Sequence, residues 1–207
     1  DLYSSVITKP RKYIIVTQKS IGEDTAYLSD RFPKLYQYLI ENNYLFERRK
    51  SSVYKDKPPF SIFGIGDYSF KPYKVAISGL YKRSVFSLIL PENGKPLMLD
   101  DTCYFLGFDS ISEAIFAWAL LNSECVQQLL AAIAFLDAKR PYTKDILMRI
   151  DIGKVAEDFT YNKIIERTKL LSEKVSVNIT EDKWNIFLEK LKGKKSEKDQ
   201  LLLFKTD

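Results

Sequence analysis

The chemistry open to this 207-residue chain is limited first by the complete absence of histidine. The chain therefore has no Ser–His or Cys–His nucleophile pair, no histidine-ligated zinc and no imidazole base that works near neutral pH. It carries 32 lysines and arginines against 27 acidic residues, together with 13 tyrosines. Positive charge attracts phosphates, and tyrosine offers both a stacking face and a hydroxyl group. The composition therefore favours a polyanionic partner such as nucleic acid.

The most informative side chains lie between residues 48 and 83, where basic residues alternate with serine and tyrosine. Lysine and arginine can neutralise phosphates, hydroxyl groups can bond phosphate oxygens, and the forked donors of arginine fit the edge of guanine. A solvated basic loop is the alternative explanation for this stretch. The candidate DNA contacts are Arg48, Arg49, Lys50, Ser51, Ser52, Tyr54, Lys71, Tyr73, Lys74, Lys82 and Arg83.

Two short strings imitate motifs of methyltransferases that use S-adenosylmethionine, and neither fits its motif. The glycine loop suggested by residues 63–66 (FGIG) needs a strand before it and a helix after it, yet strand-like residues and Pro72 follow. The motif suggested by residues 57–60 (KPPF) needs a hydrogen-bond acceptor where Lys57 stands. We predict no catalytic residue in either string.

Carboxylates beside a lysine could hold Mg²⁺ in a nuclease that needs no histidine. Triplets of the type Asp/Glu-x-Lys occur at residues 137–139 and 181–183. The first follows a predicted helix, and the second opens one, where acidic residues are expected from the helix dipole. A loop and a helix start therefore explain the triplets better, and a Mg²⁺-dependent nuclease is the weakest hypothesis.

The elements that must position these residues follow from the hydrophobic pattern. Helical spacing predicts helices over 33–43, 111–121 and about 123–133, and Ser110 with Glu113 forms a capping box before the second. The chain is therefore predicted to be α+β, with a mixed, mostly antiparallel sheet packed with helices. Strands are predicted at residues 13–17, 60–63, 74–78, 85–90, 97–99 and 103–106.

The character of the sequence changes after Gly153, where charged helices are predicted over residues 154–174 and 180–192, the last capped by Thr180. We predict one domain over residues 1–152 and a helical appendix with a charged tail over residues 153–207. The apolar runs are far shorter than the roughly 20 residues that cross a bilayer, and no signal peptide is recognisable. We therefore expect a cytoplasmic protein with no membrane partner.

Several short segments of the chain occur in a distinctive order. These are residues 33–39 (PKLYQYL), 48–52 (RRKSS), 60–70 (FSIFGIGDYSF), 72–79 (PYKVAISG), 99–106 (LDDTCYFL), 120–123 (LLNS) and 139–144 (KRPYTK). Their order resembles the C-terminal recognition region of N6-adenine DNA methyltransferases from type II restriction-modification systems, related to the TaqI-like specificity domain. The resemblance spans about residues 13–152 and includes no catalytic signature.

The resemblance implies that residues 1–152 form a target-recognition domain that grips double-stranded DNA. A methyltransferase domain, in the same polypeptide or in a separate subunit, would bind S-adenosylmethionine and flip the target adenine. For this chain alone, it implies no cofactor, no metal and no catalytic residue, as expected for a piece of an adenine-specific DNA methyltransferase. The alternative is a protein-interaction module whose helices after Gly153 dock a methylase subunit.

Overall fold

The computed structural model describes residues 2, 4–171, 175 and 177–193. The chain divides into two compact units, one of residues 12–70 and one of residues 1–11 together with 71–207. We call them the smaller and the larger unit. The domain boundary after residue 152 stays a prediction, and the charged tail over residues 194–207 lies outside the described residues.

The smaller unit contains three short helices, α1 (Tyr27–Arg31), α2 (Pro33–Glu41) and α3 (Asn43–Glu47). Pro33 opens α2, where its fixed φ suits the first helical turn and its missing N–H costs nothing. The core of the unit is Leu28, Leu39 and Phe60. The Phe60 ring also meets the rings of Tyr36 and Phe46 edge to face.

Two strand predictions in the smaller unit are wrong. Phe60 has a φ of 62°, a left-handed conformation that ends any extended run, so residues 60–63 form no strand. Residues 14–17 are β-branched, but residues 13–17 pair with no strand among the described residues, and Tyr13 is 90% exposed. The preference of β-branched residues for strands depends on a neighbouring strand, which this segment lacks.

The larger unit is built on a mixed four-stranded sheet. Its strands are β1 (Val6–Ile7), β2 (Tyr73–Ser78), β3 (Ser87–Ile89) and β4 (Cys103–Phe108). They lie in the order β1-β3-β2-β4. β2 pairs antiparallel with β3 and β4, and β1 joins β3 in parallel. The mixed, mostly antiparallel sheet is thus confirmed, although the predicted strand at residues 97–99 is absent from it.

Helix α4 (Ile111–Leu121) packs against this sheet and is nearly all apolar, with nine of its eleven residues buried. The indole Nε1 of Trp118 donates to the carbonyl oxygen of Phe86, 2.9 Å away, and so ties the helix to the sheet. The predicted capping box is wrong. The Ser110 side chain makes no capping bond, and Glu113 pairs with Lys190 instead.

The remaining helices confirm an α+β fold with a helical C-terminal part. They are α5 (Glu124–Ile133), α6 (Lys144–Leu147), α7 (Ile152–Glu157), α8 (Tyr161–Thr168) and α9 (Glu181–Gly193). Helices α7, α8 and α9 pack on α4, where the Phe116 ring meets Trp184 of α9 edge to face and Phe187 at a tilt. The predicted helix over 154–174 is interrupted, because Thr160 starts a new helix by accepting a bond from the Lys163 N–H.

In the described part of the chain, no helix combines the length and the apolar character needed to cross a membrane.

Candidate nucleic-acid interface

In the smaller unit, the predicted contacts at residues 48–54 follow directly after α3. Arg48 and Lys50 are exposed, and the Arg48 guanidinium lies 5.9 Å from the centroid of the Tyr44 ring. Tyr44 is itself 54% exposed. This pair presents a cation and an aromatic face to solvent side by side, and both groups suit nucleic acid.

Arg49 has a different environment from its two basic neighbours. Its guanidinium lies between the rings of Phe46 and Tyr54, at 4.4 and 4.5 Å from their centroids, and donates to the carbonyl oxygen of Ser61. These contacts occupy both the arginine and the Tyr54 ring. Arg49 and Tyr54 therefore hold this segment in place rather than present themselves to a ligand.

The serines of the same segment are accessible. Ser51 begins a 3₁₀ turn, Ser52–Tyr54, and its side chain accepts from the N–H of Val53 at 3.4 Å. Ser51 and Ser52 are both exposed. Of the six predicted contacts in the smaller unit, the exposed ones are Arg48, Lys50, Ser51 and Ser52.

Lys74, a predicted contact in the larger unit, is fully buried within β2. Its ammonium group donates to the carbonyl oxygen of Lys71 at 2.6 Å and lies 5.8 Å from the Phe105 ring centroid. Burial lowers the pKa of Lys74 to about 8, because the charged form loses its hydration. The ammonium is therefore out of reach of a phosphate in this structure.

Two further predicted contacts flank Lys74 at the start of β2. Lys71 forms an ion pair with Asp109, with 2.5 Å between Nζ and Oδ2. Tyr73 is half-buried against the main core. Lys71, Tyr73 and Lys74 are thus engaged with the protein itself, and we leave them out of the candidate interface.

The two remaining predicted contacts, Lys82 and Arg83, lie at the end of the sheet where β2 finishes and β3 and β4 begin. Three segments meet there, residues 79–83, 100–102 and 135–142, and we call this place the loop end. The Lys82 ammonium donates to the carbonyl oxygens of Leu136 and Ala138, the latter at 2.9 Å. It therefore joins the loop after β2 to the turn after α5.

Gly79 allows the three segments to come together. Its N–H donates to the carbonyl oxygen of Thr102 at 2.8 Å. A Cβ atom at this position would lie 3.0 Å from the Tyr104 ring and 3.2 Å from the carbonyl oxygens of Thr102 and Tyr142. Only glycine fits without displacing these neighbours. The segments over 72–79, 99–106 and 139–144, which carry the family resemblance, therefore converge at the loop end.

The surface of the loop end is basic and apolar at once. Arg83 and Lys139 are exposed, and a cavity of about 440 Å³ is lined by Leu80, Tyr81, Lys82 and Arg83. Phe135 and Leu136 are 71% and 45% exposed. Our sequence reasoning missed Phe135, Leu136 and Lys139 as site residues. The sequence did carry a signal for Phe135 and Leu136. The helical spacing of apolar residues ends near Ile133, which leaves both residues outside α5.

Two titratable groups lie beside the loop end. Burial alone would raise the pKa of Asp100, but hydrogen bonds from the Thr102 hydroxyl and N–H outweigh it and lower the pKa overall. Burial, with the nearby negative charge of Asp100, raises the pKa of the Cys103 thiol to about 11. Cys103 is therefore protonated at neutral pH and is a poor nucleophile.

The carboxylates of the two nuclease-like triplets are not gathered into a site. Asp137 and Glu181 are exposed, and the described residues include no cluster of three or more side chains of the kind that hold a metal ion. Asp137 lies in the turn of the loop end, and Glu181 is the first residue of α9.

Comparison with known proteins finds a relative among the methyltransferases. No family model and no solved structure matches the chain. Over 146 residues, 70% of its length, the chain is 46% identical to the type II methyltransferase M.NspV from Nostoc sp.. The match covers 30% of that relative, so the chain spans less than a third of its length. The chain is homologous to part of a type II methyltransferase.

Proposed function

We propose that this chain recognises a specific sequence in double-stranded DNA, as the specificity domain of an N6-adenine DNA methyltransferase of a restriction-modification system. The observation that carries the proposal is the 46% identity to part of the type II methyltransferase M.NspV. The resemblance of the chain to TaqI-like recognition regions supports the same assignment. Binding of S-adenosylmethionine and methyl transfer then belong to a methyltransferase domain in the same polypeptide or in another subunit.

Base readout is assigned to the loop end of the larger unit. Loops at one end of a rigid sheet can enter a groove while the sheet fixes their geometry. Arg83 is exposed there and can bind a phosphate at the edge of the groove that these loops enter. The turn at residues 135–138, which Lys82 holds in position, adds a second element that can reach the duplex.

Phosphate binding is assigned to the exposed basic segment of the smaller unit. Arg48 and Lys50 supply the charge, and the hydroxyl groups of Ser51 and Ser52 supply further donors. Arg49 fixes the backbone from which they project, through Phe46, Tyr54 and Ser61. Contacts of this type orient a protein on DNA and strengthen binding without reading the sequence.

Selection of bound duplexes from a random DNA pool tests the proposal. Near physiological salt, binding by charge alone weakens while sequence-specific binding persists. We expect enrichment of one short sequence that contains adenine. Recovery of unrelated sequences would leave a basic surface without readout and would contradict the proposed specificity.

A second candidate function is the docking of a methyltransferase domain by the smaller unit. Large apolar side chains of α2, α3 and their flanks are exposed to between 45% and 54%. Exposed apolar side chains of this size can make a protein contact. Replacing Tyr38 and Ile40 by serine should abolish co-purification with the cognate methyltransferase domain, and unchanged co-purification would exclude these two side chains. The exposed side chains are those of Phe32, Tyr38, Ile40, Tyr44 and Leu45.

A further inference from the structure

Phe135 is an aromatic residue whose side chain is exposed to solvent. It lies just beyond α5, in a turn closed by a 3.1 Å hydrogen bond from the Ala138 N–H to the Phe135 carbonyl oxygen. Its side chain is 71% exposed, and the neighbouring Leu136 is 45% exposed. Leaving a phenylalanine in water forfeits the free energy that its burial would provide. Phe135 and Leu136 therefore present two adjacent apolar side chains to solvent at the loop end.

The turn that carries Phe135 is held in position by side-chain contacts. Lys82 donates to the carbonyl oxygens of Leu136 and Ala138. Arg140, two residues beyond the turn, lies 3.6 Å from the Asp101 carboxylate. A ring on a braced turn loses little conformational freedom on binding, which favours contact at this point.

The surroundings of Phe135 indicate the chemistry of the partner. Arg83 and Lys139 are exposed, and their side chains make no hydrogen bond or ion pair with the residues that the structure describes. Leu80, 38% exposed, is a further apolar side chain of the loop end. An exposed aromatic ring with two available cations in the same loop end suits a nucleic-acid duplex, because the ring can enter the base stack while the cations bind phosphates.

We propose that Phe135 is a wedge, whose ring stacks between neighbouring base pairs of the bound duplex while Arg83 and Lys139 contact phosphates beside it. The wedge proposal rests on the proposed function and adds one specific DNA contact to it. Wedges of this kind unstack a base step, and the bent duplex then covers more of the protein surface.

Tryptophan fluorescence tests the contact directly, because Trp118 and Trp184 are both buried and thus shielded from DNA. Phe135→Trp would place an indole on the turn at residues 135–138. Leu170→Trp is the matched control, because Leu170 is also 71% exposed. The probe is the duplex enriched by selection or, without a consensus, the random pool itself. We expect DNA to quench the fluorescence of the Phe135→Trp protein and to leave that of Leu170→Trp unchanged.

Affinity provides the second measurement. Phe135→Ala should weaken duplex binding about tenfold, as expected for the loss of one stacking contact, without changing the salt dependence. Phe135→Trp should retain affinity, and Leu170→Ala should bind like the wild type. Because Phe135 is exposed, these changes should leave the fold intact, which circular dichroism checks.

The outcomes separate the wedge from the proposed function. If the wild-type protein binds DNA and Phe135→Ala binds equally tightly, the wedge is wrong and the proposed function stands. Weaker binding by Phe135→Ala without quenching in Phe135→Trp would also overturn the wedge, since it would indicate only a role in the shape of the turn. If the wild-type protein binds no duplex, the proposed function and the wedge both fail.

Discussion

The Lys82 ammonium lies 2.9 Å from the carbonyl oxygen of Ala138 and so joins the loop after β2 to the turn after α5. Its donors are directed at the protein backbone, whereas the adjacent Arg83 is exposed. Two neighbouring basic residues therefore have separate roles. Lys82 positions the loop end, and Arg83 is available to a ligand.

Arg83→Ala should weaken DNA binding and lower the slope of log affinity against log salt by about one, because one phosphate contact is lost. Loss of a base contact instead would relax the consensus at one position. The exposed Arg149 in the same unit provides the matched control, and Arg149→Ala should change neither quantity. Equal effects of both variants would indicate a nonspecific contribution of charge and count against a contact at Arg83.

Arg49→Ala should destabilise the smaller unit by about 1–3 kcal/mol, because a charged hydrogen bond and two cation–π contacts are lost. Arg48→Ala, which removes an exposed arginine, should leave the free energy of unfolding nearly unchanged while it weakens DNA binding. Urea unfolding followed by tyrosine fluorescence and titration with duplex measure the two quantities. If Arg48→Ala proved the more destabilising, these roles would be reversed.

Lys74 makes stability depend on pH. Its pKa is about 8 in the folded protein and near 10.5 when unfolded, so the unfolded chain binds more protons between these values. The contribution of Lys74 to the free energy of unfolding should therefore rise from about pH 8 to pH 10.5. The pKa of Cys103 is raised to about 11 from 9.0, so its contribution falls between those values.

Comparison of Lys74→Met with the wild type isolates the lysine, since Cys103 contributes equally to both proteins. Near neutral pH the variant should be more stable, by at most about 3 kcal/mol, and this advantage should shrink as the pH approaches 10. Denaturant unfolding at a series of pH values measures the difference. A difference that is independent of pH would show that Lys74 has an ordinary pKa in the folded protein.

Asp137→Asn distinguishes DNA recognition from the nuclease hypothesis. Removing an exposed negative charge from the loop end should strengthen duplex binding about two- to fivefold, because repulsion of phosphates is reduced. A Mg²⁺-dependent nuclease would instead lose metal-dependent cleavage in this variant. Cleavage by the wild type that disappears in Asp137→Asn would favour the nuclease.

The parts of the fold that the sequence predicted best have strong local patterns. β2 and α4 are long apolar runs, and each was found within one or two residues of its observed bounds. The run at 13–17 failed because a strand needs a partner, which the local pattern does not supply. The prediction for residues 60–63 failed at Phe60, whose backbone is left-handed and whose carbonyl oxygen accepts a hydrogen bond from the Thr17 hydroxyl rather than from a neighbouring strand.

The candidate site was harder to predict, because adjacent basic residues look alike in a sequence. Arg48 and Arg49 differ only in the three-dimensional contacts of their side chains. The sequence did indicate burial of Lys74, because the residues that follow it in the strand, 75–78, are buried. Phe135 was not among the predicted contacts, because the local pattern does not show that an apolar side chain beyond the end of α5 is exposed.

The central claim is that the chain distinguishes one DNA sequence from others. The most direct measurement is the ratio of its affinities for the enriched duplex and for a scrambled duplex of the same composition, near physiological salt. Sequence-specific recognition predicts that the enriched duplex binds at least about 10³-fold more tightly. A ratio close to one would mean that the chain binds DNA by charge alone, and it would contradict the assignment of this chain as a specificity domain.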